Sequence, residues 1–470
     1  MDLVGRRVTV MGLGRFGGGL GAVLHLLRRG AAVTVTDLKT ADQLQDSLRQ
    51  LQGQPVTLHL GGHASDDFTQ ADLVVVNPAV PKNAPMLDVA RRAGVPLTTE
   101  INLFVSECAA PVLAVTGSAG KSTTVSLLAR ALATRYTTHL GGNIGRSLLD
   151  LLDGEPGLRA EDRVCLELSS FQLEDTASLG WSPHVAVVTN LAPNHLDHHG
   201  TMEAYAEAKL GILRFQATDD WAVLPAADGA SSQWDRLVAG WDRRTQARTV
   251  RFSVTQSLDE GAWLDGGDCV LRLDGVTERV PLASALRLPG RHNAANFLAA
   301  ALAARCEGVP LAESARAAAE FAGLPHRLSL VAEVGGVGYW NDSKATTPAA
   351  AEVALGAFDR PVIAIAGGYD KKIDLGPLAD ALARGARAVL LIGQTAPMLA
   401  ELLAERHYGG AETVETLDRA VARAAELAQP GDVVLLSPGH ASWGQFENYE
   451  QRGDRFAEYV RALRGAEVRA

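Results

Sequence analysis

Residues Val115 to Thr123 read VTGSAGKST, and this stretch decides the fold. The apolar run PVLAVT leads into it, and the helix pattern TTVSLLARAL leads out. Strand, glycine-rich turn and helix in this order make a phosphate cradle. Gly117 and Gly120 let the main chain approach an anion, and the helix N-terminus turns its amides toward it. Lys121 then neutralises β/γ-phosphate charge, and the hydroxyl of Ser122 or Thr123 reaches Mg²⁺. The usual loop places four residues between the first glycine and the Gly-Lys pair. Here only Ser118 and Ala119 stand between them. The reading is a shortened loop for a nucleoside triphosphate.

The same phrase recurs on both sides, as RRVTVMGLGRFGGGLGAVLHLLRRG from Arg6 and as PVIAIAGGYDKKIDLGPLADALARG from Pro361. Buried strands that each feed a helix predict parallel sheets of the α/β class. Their wide separation predicts three domains: a Rossmann-like one over 1–107, a central P-loop-type, mostly parallel ATPase domain over 108–324, and a Rossmann-like one over 325–470. In the first, Gly12-Leu13-Gly14-Arg15-Phe16-Gly17 precedes a helix, and Asp37 ends the next strand. That spacing suits a ligand with a pyrophosphate and a ribose, which describes NAD and UDP-linked sugars equally.

Composition excludes several classes. The chain has 470 residues, 47% hydrophobic and 21% charged, enough for sizeable cores. Its net charge of −10 and the lack of a Lys/Arg stripe argue against a nucleic-acid partner. No apolar run approaches the roughly 18 residues of a membrane span, and MDLVGRRVTVMG does not resemble a secretory signal. Cys108, Cys165, Cys269 and Cys306 lie far apart, which predicts reduced thiols in a cytoplasmic protein, with neither disulfides nor zinc.

Further polar residues fall at strand ends. Glu167 closes the run DRVCLE, where a carboxylate is costly unless paired or bound to a cation. TNLAPNHLDHHG gathers His195, Asp197, His198 and His199; a zinc reading lacks an H-x-x-x-H spacing or a companion Cys pair, so the expectation is one Mg²⁺ contact with the other histidines at the surface. In TMEAYAEAKLGILRF, Lys209 shares an apolar stripe with Met202, Tyr205, Ala206 and Leu213. Snorkelling is the ordinary explanation. A buried amine instead stays neutral and can take up CO₂ as a carbamate, an anion able to hold a second Mg²⁺ beside His195. Asn293 and Asn296 lie one turn apart at a helix start, where they either cap it or read a purine. Arg327 sits at the second domain junction, within reach of a triphosphate. Asp342, Ser343, Lys344, Thr346 and Thr347, with Lys371 and Ser442, give the last domain cations and hydroxyls suited to an acidic substrate.

TGSAGKST, ELSSFQLE, TNLAPNHLDHHG, EAYAEAK, HNAANFLAA, LPHRL, NDSKATTPAA, AGGYDKK and LLSPGHAS, in this order, resemble the Mur ligases along essentially the whole chain. NDSKAT resembles the branch that adds D-glutamate. The resemblance implies an ATP-dependent ligase joining D-glutamate to UDP-N-acetylmuramoyl-L-alanine in cytoplasmic peptidoglycan synthesis, working as a monomer. It implies ATP and Mg²⁺ on Lys121 and Ser122, Glu167 on the first metal, and His195 with an N-carboxylated Lys209 on the second. Leu13, Gly14, Asp37 and Lys39 would face the UDP part, and Asn143, Ser169 and Gln172 the rest of that substrate. Asn293, Asn296, Arg327 and Asp342 would hold the nucleotide; Lys344, Thr346, Lys371, Ser442 and Tyr449 would hold D-glutamate. Ser118-Ala119, Asn194 and Gly439-His440 depart from the family pattern.

Three rivals remain open. An NAD-dependent dehydrogenase explains the first loop but leaves GSAGKST without work. A nucleotide-driven binding module would use ATP for shape change alone. A related ligase, adding L-glutamate or resembling folylpolyglutamate synthase, would share the chemistry and differ in substrate.

Overall fold

A computed structural model describes residues 2–14, 18–145, 147–154, 157–227 and 232–463, with the backbone of a last short strand at Ala466–Glu467. Arg15, Phe16 and Gly17 of the first glycine loop lie outside the described residues. By internal contacts the chain divides into two compact units, 1–285 with 295–318 and 286–294 with 319–470.

The first unit holds two sheets. Five parallel strands are ordered Val56–Leu60, Ala32–Asp37, Arg7–Met11, Leu73–Val76 and Leu97–Thr98. In Arg7–Met11 every residue after Arg7 is buried, as expected of a strand covered on both faces. The second sheet has nine strands, with Thr138–Gly142 at one edge beside Arg163–Glu167. Val112–Thr116 lies near one end of it, between Arg163–Glu167 and Val185–Val188, all parallel. Beyond these come Trp221–Pro225, Arg248–Ser253 and Gly261–Asp265, also parallel. An antiparallel hairpin, Asp268–Leu273 and Val276–Pro281, closes that edge. One hydrophobic cluster runs from Val8 and Leu26 through Phe104 to Leu166 and Tyr205, so both sheets share a core. Charged groups join them too. Asp153 accepts from His25 Nδ1 at 2.7 Å and Arg29 Nε at 2.7 Å, and Arg29 also reaches Glu107.

The second unit is a seven-stranded sheet ordered Ala411–Glu415, Ala388–Ile392, Val362–Gly367, Val433–Leu436, Val337–Asn341, Ser329–Val334 and Ala466–Glu467. The first five are parallel, and Ser329–Val334 pairs antiparallel with its neighbour on each side. The α/β class with mostly parallel sheets is therefore as the sequence predicts. All four cysteines are free thiols. Among the described residues no helix is long and apolar enough to cross a membrane.

Candidate active site

Sheet register builds the site. Val115 pairs with Glu167 on one side, and Thr116 with Val188 on the other. Three neighbouring strands therefore end together. The loop 117–120, the Glu167 carboxylate and the segment from Thr189 onward lie side by side, where α/β sheets present ligands.

Two glycines make the short loop possible. Gly117 has φ +146° and Gly120 φ +81°. A Cβ on the first would overlap Thr189 Oγ1, and one on the second the Asn296 side-chain amide. The residues between them are tied to the adjacent segment. Ser118 N–H donates to Asn190 O at 3.1 Å, Ala119 N–H to Asn190 Oδ1 at 2.9 Å, and the Thr189 hydroxyl to Ala119 O at 2.6 Å. The Ser118 hydroxyl accepts from Ala192 N–H at 2.9 Å and sits 3.1 Å from the Tyr205 hydroxyl. Asn296 meets this cradle from behind, accepting from the Thr124 hydroxyl at 3.2 Å.

Two amines converge on one oxygen. Lys121 Nζ donates to Gly117 O at 2.9 Å and Ser118 O at 3.2 Å. Lys209 Nζ, from the helix Met202–Leu210, donates to the same Gly117 oxygen at 2.9 Å. Thr201 caps that helix by accepting from Ala204 N–H, and the chain leaves it before Leu213. Lys209 is 1% exposed, so it does not snorkel. The Tyr205 ring covers its Nζ at 4.7 Å. Burial, and next the charge of Lys121, lowers its pKa to about 6, with Glu167 pulling the other way. At pH 7 roughly nine tenths of such amines are neutral, against roughly 3 in 10⁴ for an ordinary lysine.

Glu167 is 2% exposed. It accepts from the Ser122 hydroxyl at 2.5 Å and from Asn143 Nδ2 at 2.9 Å. A buried carboxylate beside a hydroxyl is the hard oxygen donor set that Mg²⁺ takes. His195 begins the short helix Leu196–His199 in a left-handed conformation, φ 53°. Burial first, then Lys121 and Lys209, lowers its pKa and favours the neutral, metal-binding imidazole. His199 departs from the expected surface position. Its side chain is 2% exposed, held by Ser170 Oγ at 2.9 Å and Glu174 at 3.2 Å.

At the first sheet, Asp37 is 7% exposed and accepts from Leu13 N–H at 2.9 Å, Gly14 N–H at 3.4 Å and Lys39 N–H at 2.9 Å. The Leu13 side chain is in the core, leaving only its main chain to face a ligand. Ser169 and Gln172 form a reciprocal capping box at the helix Ser170–Thr176. Gln172 Oε1 accepts from Ser169 N–H at 3.0 Å, and Ser169 Oγ accepts from Gln172 N–H at 3.3 Å.

In the second unit, Asn293 donates to Pro289 O at 2.7 Å. Arg327 lies between His326 and Leu328, both left-handed at φ 62° and 45°. Asp342 steadies this turn, accepting from Leu328 N–H at 3.1 Å and the Ser437 hydroxyl at 2.8 Å. Burial raises its pKa to about 7, while Arg327 and Arg452 oppose the rise. Lys344 Nζ lies 5.0 Å from the Tyr449 ring centre, and Lys371 Nζ 5.6 Å from that of Trp443. Thr346 N–H donates to Lys344 O at 2.9 Å, and Phe446 N–H to Ser442 O at 3.0 Å.

The buried Arg452 joins these loops and is absent from the residues read off the sequence. It donates to Ser343 Oγ at 3.0 Å, Ser343 O at 2.7 Å and His440 O at 3.1 Å, and the Ser343 hydroxyl donates to Tyr449 O at 2.8 Å. A signal for it existed. Arg452 precedes Phe456 and Val460 by four and eight positions on one buried helix face, as Lys209 shares its own stripe. Thr189 and Asn190 had no comparable signal, since a polar loop after a strand does not reveal what it braces.

Three family descriptions match the chain: the Mur ligase MurD-like N-terminal domain over 6–99, the Mur ligase middle domain over 115–304 and the Mur ligase glutamate ligase domain over 326–440. A UDP-N-acetylmuramoylalanine–D-glutamate ligase of Roseiflexus sp. (strain RS-1) is 41% identical, covering 98% of this chain and 100% of that protein. One from Acidobacterium capsulatum is 40% identical, covering 99% and 98%. Among solved structures, the UDP-N-acetylmuramate-alanine ligase of Thermotoga maritima shares the fold at TM-score 0.61 and 22% identity, over 97% of this chain and 99% of that one. A folylpolyglutamate synthase of Mycobacterium tuberculosis does so at TM-score 0.55 and 17% identity, over 77% and 93%. Nothing among these relatives supports a dehydrogenase. With a glycine loop and a buried carboxylate at the expected strand ends and family matches along the chain, the protein belongs to the Mur ligase family.

Proposed function

We infer that this chain is an ATP-dependent ligase that adds D-glutamate to UDP-N-acetylmuramoyl-L-alanine in cytoplasmic peptidoglycan precursor synthesis. The observation that carries the chemistry is the convergence of Lys121 and Lys209 on the Gly117 oxygen next to the buried Glu167. The identity of the two substrates rests on the names of the full-length relatives.

The acid substrate's carboxylate is a poor electrophile, so it attacks the γ-phosphorus of ATP. ADP leaves and an acyl phosphate forms. The amine of D-glutamate attacks the activated carbonyl, phosphate departs, and the amine proton passes to a base. Lys121 offsets the repulsion between carboxylate and phosphates, and Arg327 adds positive charge. Lys344 and Lys371 give the amino acid's two carboxylates cationic partners, with Thr346, Ser442 and Tyr449 beside them.

Ser122 and Glu167 would hold one Mg²⁺; His195 and an N-carboxylated Lys209 would hold a second. When bound, these ions supply charge neutralisation at the transferring phosphoryl group. Carboxylation of Lys209 needs its neutral amine. The nitrogen lone pair forms an N–C bond to CO₂ and the nitrogen releases a proton to solvent, leaving a carbamate. The same ligation occupies His195, so proton removal by His195 and metal binding compete.

Phosphate release from ATP tests this reading with UDP-N-acetylmuramoyl-L-alanine and either D- or L-glutamate. Release should require both co-substrates and favour the D isomer. Release indifferent to the UDP-sugar overturns the assignment.

A further inference from the structure

We propose that Glu174, His198 and His199 form a binding site for a borderline divalent transition-metal ion such as Zn²⁺, distinct from the Ser122–Glu167 oxygen pair. The proposal rests on the donors' placement and does not depend on the ligase reading. One ligand atom from each residue lies within 4.8 Å of the other two. His199 Nδ1 is 3.2 Å from Glu174 Oε1, and His198 Nε2 is 3.6 Å from Glu174 Oε2. Tetrahedral zinc with bonds of about 2.0–2.1 Å separates its ligand atoms by about 3.4 Å. The two imidazole–carboxylate spacings, one to each carboxylate oxygen, bracket that value.

The ring placement is built, not incidental. His199 turns Nδ1 to the carboxylate because its other nitrogen, Nε2, meets Ser170 Oγ at 2.9 Å. A hydrogen bond of this kind fixes the tautomer and aims the donor nitrogen of a metal-bound imidazole. Phe171 packs against both rings, 4.4 Å from His198 and 5.5 Å from His199 between centres. The rings themselves meet edge-on at 4.7 Å. His199 is closed off at 2% side-chain exposure, while His198 and Glu174 are 30% and 35% exposed. The cluster thus has a fixed floor and an open side, giving an ion a path in and leaving one position for water. Two imidazoles select zinc, cobalt or nickel over Mg²⁺, which takes oxygen ligands. The Ser122–Glu167 pair has the opposite character.

The test uses the full-length, tag-free and metal-stripped protein in excess Mg²⁺. It is titrated with Zn²⁺ by calorimetry and with Co²⁺ by visible absorption. One ion should bind per chain, with Co²⁺ bands of a low-coordinate nitrogen–oxygen site. His198→Gln and Glu174→Gln should each weaken binding at least tenfold, and Ser170→Ala by a smaller factor. His195→Ala should leave it unchanged. Both truncated side chains are part-exposed, and thermal melting of each variant checks that it folds. Three results overturn the proposal: no stoichiometric binding to the parent protein, binding unaltered in folded His198→Gln and Glu174→Gln, or binding lost in His195→Ala and kept in His198→Gln. In the last case the ion occupies the phosphate pocket. In the first two the cluster is an ordinary carboxylate–histidine hydrogen-bond pair.

Discussion

Two strand–glycine–helix turns in the first unit look alike in sequence and have opposite electrostatics in space. After Arg7–Met11, the loop amides of Leu13 and Gly14 already point at a carboxylate, Asp37. After Val112–Thr116, the loop carbonyl of Gly117 is shared by two lysine amines, Lys121 and Lys209. The first turn is an acceptor site and suits a ligand that offers hydroxyl or ring N–H donors. The second carries the positive charge of Lys121 and suits phosphates. A glycine signature thus reports where the main chain approaches a ligand; the residues that arrive from elsewhere decide the ligand's charge.

The contrast can be broken most sharply at Lys121. Lys121→Ala should lower the rate of phosphate release by about 10³-fold with the protein still folded, since one charge-stabilising donor is worth roughly 10²–10³ in such sites. An intact rate would mean that the positive character of the second turn has no catalytic use. Gly117→Ala comes next. The added methyl meets the Thr189 hydroxyl at a left-handed φ, so activity should fall about 100-fold and stability by about 2 kcal/mol. Thr189→Ala in the same chain removes the overlapping oxygen and should recover part of both losses.

Lys209 sharpens the comparison through pH. The unfolded chain keeps this proton up to the ordinary value of 10.5, whereas the folded chain releases it near 6. The folding penalty is therefore full below pH 6 and fades as the pH rises between those values. In bicarbonate-free buffer, Lys209→Met should raise the melting temperature by several degrees at pH 6 and by clearly less at pH 9. An equal gain at both would show that the amine is not held neutral. Asp37→Asn should have the smallest effect. It weakens charge-assisted hydrogen bonds worth about 1 kcal/mol, raising KM for the UDP-sugar roughly fivefold and leaving KM for ATP unchanged. A change in the ATP constant instead would assign Asp37 to the wrong substrate.

The amino-acid sequence by itself determined the α/β class, the phosphate turn and the anomaly of Lys209. Each of these is a local matter: the period of apolar residues, the need for glycine at left-handed φ, and a cation on an apolar stripe can be read within one or two turns of chain. Tertiary structure alone decided what those residues meet. Sheet register set Glu167 level with Val115 and brought Lys209 to the oxygen that Lys121 also uses. Ser169 and Gln172 bond to one another as a cap at the start of their helix. His199, expected at the surface, is enclosed by Ser170 and Glu174. Arg452 ties together loops about 109 and 12 residues away in the chain. Burial and charge depend on neighbours distant in sequence, and those neighbours are fixed only once the strands have paired.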